Sequence, residues 1–125
     1  MQKSTSGFTL LELLIVIAVI SVLAAVLIPN LLAARSKAND TSTIAFVRNT
    51  MIALETERET VLGRLPSGLS SDCSNVLGLQ QPSSVDACAI TYLTNALGDR
   101  VDYTIQADSV SGKVVQWTGS ELQVN

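Results

Sequence analysis

Between residues 8 and 28 the chain carries only three polar side chains, Thr9, Glu12 and Ser21, in 21 positions. At about 1.5 Å per helical residue such a run is roughly 30 Å long, the thickness of a bilayer's hydrocarbon core. A helix in a soluble core rarely needs that length without a polar face. The apolar part of a secretory signal usually has only about 7–15 residues. The run therefore reads as a membrane segment, and a plain anchor accounts for everything in it except Glu12. A carboxylate inside a membrane helix is costly, so it has a partner or a role.

The residues in front supply a candidate role. Met1-Gln2-Lys3-Ser4-Thr5-Ser6-Gly7 is short, polar and basic, and it ends in glycine immediately before Phe8. Cleavage between Gly7 and Phe8 would create an α-amine four residues ahead of Glu12. At neutral pH that amine is largely cationic in water. In a packed apolar bundle an amine or a carboxylate alone is strongly unfavourable, whereas the pair is tolerable.

The stretch Gly7-Phe8-Thr9-Leu10-Leu11-Glu12-Leu13 resembles the class III signal of type IV pilins and related pseudopilins. The motif covers only the first quarter of the chain, but it specifies several positions in a row. The resemblance implies that a membrane prepilin peptidase removes residues 1–7 and N-methylates Phe8. It implies that Glu12, fifth in the mature chain, neutralises the amino terminus of a neighbouring subunit. The expected partners are then further copies in a helical filament, the peptidase, an inner-membrane pilus assembly machinery, and the membrane itself before assembly. The expected location is the bacterial inner membrane for the precursor and the cell surface for the fimbrium. A major pilin is the first reading, because several tip-type minor pilins lack the acid. The alternatives are a pseudopilin of type II secretion or competence, a minor pilin, and a plain anchored protein or one secreted after cleavage near Ala24 or Ala25.

Length and charge bound the remainder. The 125 residues suit one small domain plus a stalk. The hydrophobic content of 47% overstates the core, since much of it lies in the first 34 residues. Without residues 1–7, seven basic and eleven acidic side chains give a formal balance of −4 before the new amine. That argues against nucleic acid as a general partner, which needs a clustered basic surface. Lys3 flanks one side of the apolar run and Arg35 and Lys37 the other, so orientation rests on the leader motif.

Pro29 removes the amide that would bond the carbonyl of Ala25. A helix end is one reading. A kink is the preferred one, because Leu31-Leu32-Ala33-Ala34-Arg35 continues in good helix formers. Ile44, Val47, Met51, Leu54, Val61 and Leu65 then recur at spacings of three, four or seven, with Arg58 snorkelling at the missing stripe position. The expected division is a leader over 1–7, a hydrophobic helix over 8–30 and a head over 31–125. The head comprises an amphipathic helix over 31–62, a connector over 63–87 and a sheet over 88–125.

The connector is rich in Ser, Gly, Pro, Asn and Asp, with Val76, Leu77 and Leu79 as apolar plugs. Cys73 and Cys88 are the two cysteines of the chain, and in an exported small domain they read as a disulfide. Many Gram-negative pilins bracket a loop near the carboxyl end with their cysteine pair. Here the pair would tie the connector to the start of the sheet, so the family's receptor loop does not carry over. After Cys88 the period changes. Ala89-Ile90-Thr91-Tyr92-Leu93 is expected as a strand, with a short helix as the other option. Val101-Asp102-Tyr103-Thr104-Ile105-Gln106 alternates, and strands over 113–117 and 121–124 follow turns opened by Asp108 and by Thr118. Short turns make the strands antiparallel. The fold class is α+β, a long N-terminal helix packed on a small antiparallel sheet of about four strands.

Catalytic chemistry is scarcely represented. The chain has no histidine, which excludes Ser-His and Cys-His systems, and it has no glycine-rich phosphate loop. No cofactor, zinc site or other metal site is expected. Asp99, Asp102 and Asp108 read as solvated acids rather than a calcium loop. The charges Glu55, Glu57, Arg58 and Glu59 read as a solvated flank, and Trp117 and Tyr103 as sheet core.

Overall fold

The computed structural model describes residues 7–76 and 78–125. Residues 1–6 of the expected leader and the expected plug Leu77 lie outside the described residues. The chain divides into two compact units, Met1–Arg35 and Ser36–Asn125.

One helix, α1 (Leu10–Thr56), contributes to both units and has Pro29 inside it. The helix does not end at the proline. In the first unit its large apolar side chains are exposed on every face, from Leu10 at 82% to Val16 at 46%. In the second unit one face is buried: Asp40, Thr43, Phe46, Val47, Thr50 and Leu54. The stripe has the expected 3.6 period, although Asp40, Thr43 and Thr50 interleave with its apolar members. Thr43 and Thr50 satisfy their hydroxyls on the helix itself, donating to the carbonyls of Asn39 and Phe46 at 3.0 Å.

The helix ends at Thr56, six residues before the expected boundary of 62. Its last carbonyls are taken by other donors, since Thr56 Oγ1 donates to the Ala53 carbonyl and the Glu57 amide to that of Leu54. Beyond them the Glu59 amide donates to the Arg64 carbonyl, the Gly63 amide returns to the Glu59 carbonyl, and Gly63 has φ 64°. A left-handed position of this kind favours glycine. Val61 is consequently 84% exposed and is not part of the buried stripe. Arg58 does not snorkel along α1 either; its Nη1 donates to the Gly63 and Val101 carbonyls and closes the loop.

The connector holds a short helical turn, η1 (Cys73–Asn75), capped by Asp72, whose carboxylate accepts from the Ser74 amide at 2.9 Å. Four strands follow: β1 (Val85–Thr94), β2 (Arg100–Ser109), β3 (Val114–Trp117) and β4 (Leu122–Val124). They form one antiparallel meander in the order β1-β2-β3-β4. The segment around Tyr92 is strand, not helix. The sheet begins at Val85 rather than 88, and β2 runs through Asp108, which pairs with Val114 instead of opening the turn. Extra pairing explains both extensions, because Val85 to Ala89 lie across from Ser109 to Gln106.

Ile90, Tyr103, Ile105, Ala107 and Val115 face α1 and join Phe46, Val47 and Leu54 in the core, with Trp117 packed against it. Val101 occupies the same alternating set as Tyr103 and Ile105 but lies at the rim, 39% exposed. Cys73 and Cys88 are disulfide-bonded with a Cα–Cα distance of 5.6 Å, which fixes η1 on β1 beside the bond from the Ile90 amide to the Ser71 carbonyl at 2.7 Å.

Two substitutions test this packing. Leu54, 0% exposed, is expected to cost about 2–5 kcal/mol as Leu54→Ala. Removing the disulfide by Cys73→Ser with Cys88→Ser is expected to cost about 3 kcal/mol in the chain-entropy account. Chemical denaturation measures both, and a loss below about 1 kcal/mol for Leu54→Ala contradicts the core described here.

Candidate functional site

Gly7, Phe8 and Thr9 precede the first turn of α1 in non-helical backbone, and Phe8 is 80% exposed. Among the described residues nothing lies within 4 Å of the place where a side chain on Gly7 would begin. The Gly7–Phe8 bond is thus in open, non-helical chain, the condition under which a peptidase can seat a substrate backbone.

Thr9 stops the helix from starting at Phe8. Its Oγ1 accepts from the Glu12 amide at 3.2 Å, while Thr9 N and Thr9 Oγ1 each donate to Glu12 Oε2 at 2.9 Å. This reciprocal arrangement is a capping box, in which the first and fourth residues satisfy each other's open amides. Glu12 thereby has a local role that an electrostatic reading of the sequence overlooks. The signal was legible, since Thr-x-x-Glu ahead of an apolar run is its usual spelling. The cap uses only Oε2; Oε1 makes no hydrogen bond among the described residues.

Further along, Ser21 Oγ donates to the Ile17 carbonyl at 2.7 Å and Asn30 Nδ2 to the Val26 carbonyl at 3.2 Å. The Asn30 bond falls on the carbonyl next to that of Ala25, the one that Pro29 leaves without its amide. Pro29 and Glu12 are 17 positions apart on α1 and do not form one site.

In the second unit the polar residues are ties rather than a reaction centre. Asp40, 8% exposed, accepts from Ser109 Oγ at 3.2 Å and from Ser111 Oγ, and Lys113 Nζ lies 3.3 Å from its other oxygen. The Ser111 hydroxyl first, then Lys113 and Ser109, hold the Asp40 carboxyl below its usual range against the opposing effect of burial. At the other end of the helix Tyr103 Oη donates to Glu55 Oε1 at 2.9 Å, and Arg58 pairs with Glu55 at 2.8 Å. Arg58 keeps the Glu55 carboxyl low, while burial, reinforced by Glu55, pushes the Tyr103 hydroxyl up. Glu55 stays exposed as expected but is also tied to the sheet through Tyr103, and Arg58 is only half-exposed. Asp99 is paired as well, 3.0 Å from Arg64. Among the described residues no group of three His, Cys, Asp or Glu side chains could hold a metal ion.

An exposed apolar helix with one carboxylate, a glycine just ahead of Phe8 at its start and a small antiparallel sheet later in the chain are the features of the type IV pilin class. The chain matches the prokaryotic N-terminal methylation motif over residues 2–28 and the pilin A4 family over residues 39–125. The chain belongs to the pilin A4 family of type IV pilins. It is 62% identical over 48 residues to the type IV wide pilus major component PilA4 of Thermus thermophilus; the match spans 38% of this chain and 37% of that relative. Among solved structures it resembles the TTHA1221 type IV pilin protein of Thermus thermophilus, with 31% identity and a TM-score of 0.54 over 70% of this chain and 98% of the other. It also resembles the type IV-like competence pilin TTHA1222 of the same organism, with 33% identity and a TM-score of 0.55 over 69% and 96%. The family is one of structural pilins, not of enzymes.

The Asp40 tie sets a pH dependence. Its folded pKa is depressed, so its contribution is fully present above the unfolded value of about 3.9 and is lost as pH falls through the folded one. Asp40→Asn is expected to lower the melting temperature at pH 7, with the gap to the unaltered protein closing below about pH 4. A gap constant from pH 7 to pH 3 in thermal scans contradicts the assignment.

Proposed function

We propose that this chain is a structural subunit, and a main building block, of a type IV pilus. It is processed between Gly7 and Phe8, methylated at Phe8, and extracted from the inner membrane into a helical filament at the cell surface. Such a fibre serves motility, attachment or DNA uptake. The observation that carries the reading is Glu12, the only ionisable side chain between residues 7 and 34. Its cap occupies one carboxylate oxygen and leaves the other open to a donor. A cationic Phe8 amine on a neighbouring copy is such a donor, and it is also in need of a counter-charge once lipid or packed helices surround it. The exposed Leu, Ile and Val side chains of the first unit supply the rest of the drive, each worth about 1.5–3 kcal/mol when fully buried.

In this reading Pro29 is a kink, and the helix just before it is the easiest part to melt when subunits leave the membrane. The name of the wide-pilus major component from Thermus thermophilus supports a major rather than a tip role. Processing in turn implies a prepilin peptidase and an inner-membrane assembly machinery as partners.

N-terminal sequencing and mass spectrometry of shed fibres are expected to find this chain starting at a methylated Phe8. Gly7→Glu is expected to leave an uncut precursor in membranes. Glu12→Ala is expected to be cut normally yet to yield at least tenfold fewer fibres, a loss of about 1.4 kcal/mol or more per addition step. Normal fibre yield from Glu12→Ala, or a mature start other than Phe8, overturns the proposal.

A further inference from the structure

The face of the sheet turned away from α1 is unlike the buried one. Ala89 and Thr91 on β1, Thr104, Gln106 and Asp108 on β2, and Gln116 on β3 line a concavity of about 350 Å³. Thr91 lies across from Thr104, and Gln106 lies between Ala89 and Gln116. Opposite side chains on such a face are about 4.5–5.5 Å apart, and successive ones along β2 about 7 Å apart. The small side chain of Ala89 makes the hollow. The four hydroxyl and amide side chains around it make no hydrogen bond among the described residues, and the buried Oδ1 of Asp108 has no partner. That oxygen is out of reach of solvent, so a ligand in the hollow meets the carboxylate through its other oxygen, Oδ2.

The chemistry of the lining narrows the ligand. Among the described residues no basic side chain lines the hollow and one carboxylate does, which disfavours phosphates and other anions. β2 is paired on both sides, so a peptide finds no open ladder on this face. A single carboxylate is too few for a metal ion, and an apolar ligand would bury these polar groups unpaired. Glutamine amides and threonine hydroxyls each both donate and accept, as sugar hydroxyls do. We propose that this outer face binds a neutral, hydroxyl-rich ligand of one or two pyranose rings. Gln106 and Gln116 bridge ring hydroxyls, and Asp108 accepts from one of them. With no aromatic ring in the lining for stacking, a dissociation constant on the order of 1 mM is expected. The inference is independent of how the chain is processed or assembled.

Saturation-transfer NMR on the full chain in a zwitterionic, sugar-free detergent tests it, with glucose, galactose, N-acetylglucosamine and maltose as probes. Saturable transfer is expected for at least one sugar. It is expected to weaken tenfold or more in Gln106→Ala and in Ala89→Leu, which fills the hollow, and to persist in Arg48→Ala on the exposed side of α1. Gln106 and Ala89 are both exposed, so these variants keep the fold, and an unchanged melting temperature verifies it. Absence of saturable transfer for every sugar up to about 50 mM overturns the proposal. Unchanged transfer in either variant, or saturation by lysine amide in place of the sugars, also overturns it.

Discussion

A carboxylate in an apolar helix is an unstable arrangement until something answers its charge, and Glu12 puts that demand at the very start of this protein. The local answer is Thr9, which closes a capping box on one oxygen and fixes where α1 begins. That answer is incomplete, since a hydroxyl and an amide solvate the charge without neutralising it. The unmet half is the physical reason to expect a cation from elsewhere. In the proposed function that cation is the amino end of the same helix on another copy. Membrane extraction and subunit register depend on that one demand in the proposed function.

The second unit solves a different problem, which is how a small core holds a long helix. Its apolar contacts are few, and the outer face of the sheet is polar and adds nothing to the core. Polar ties at both ends of the buried stripe supplement it. Asp40 reaches the β2–β3 hairpin through Ser109, Ser111 and Lys113, and Glu55 meets Tyr103 and Arg58. The Cys73–Cys88 bridge fastens the connector to β1 between them in sequence. Small domains that bury little surface commonly need such a staple.

What the sequence made legible followed from strong periodicities and scarce residues. The apolar run, the glycine before Phe8, the alternation through Val101, Tyr103 and Ile105 and the two cysteines each had a single dominant physical reading. Family, fold class and disulfide were all readable from them. The end of α1 was not, because the apolar spacing runs on to Val61 and Leu65 while long-range donors, Arg58 to Val101 above all, decide the boundary. Asp40 was hidden for a related reason. It keeps heptad register with Val47 and Leu54 and so belongs to the buried face, but a lone acid beside Asn39 and Thr41 reads as surface until its hairpin partners are in place. The capping box was spelled out in residues 9–12 and was overshadowed by the charge of Glu12.

The most direct test of the central claim is a high-resolution structure of the native fibre, read at the Glu12 carboxylate. The methylated Phe8 nitrogen of an adjacent subunit is expected within about 4 Å of Glu12, with both groups out of contact with bulk solvent. Glu12 facing water, or paired within its own chain and distant from every neighbouring amino terminus, would contradict it.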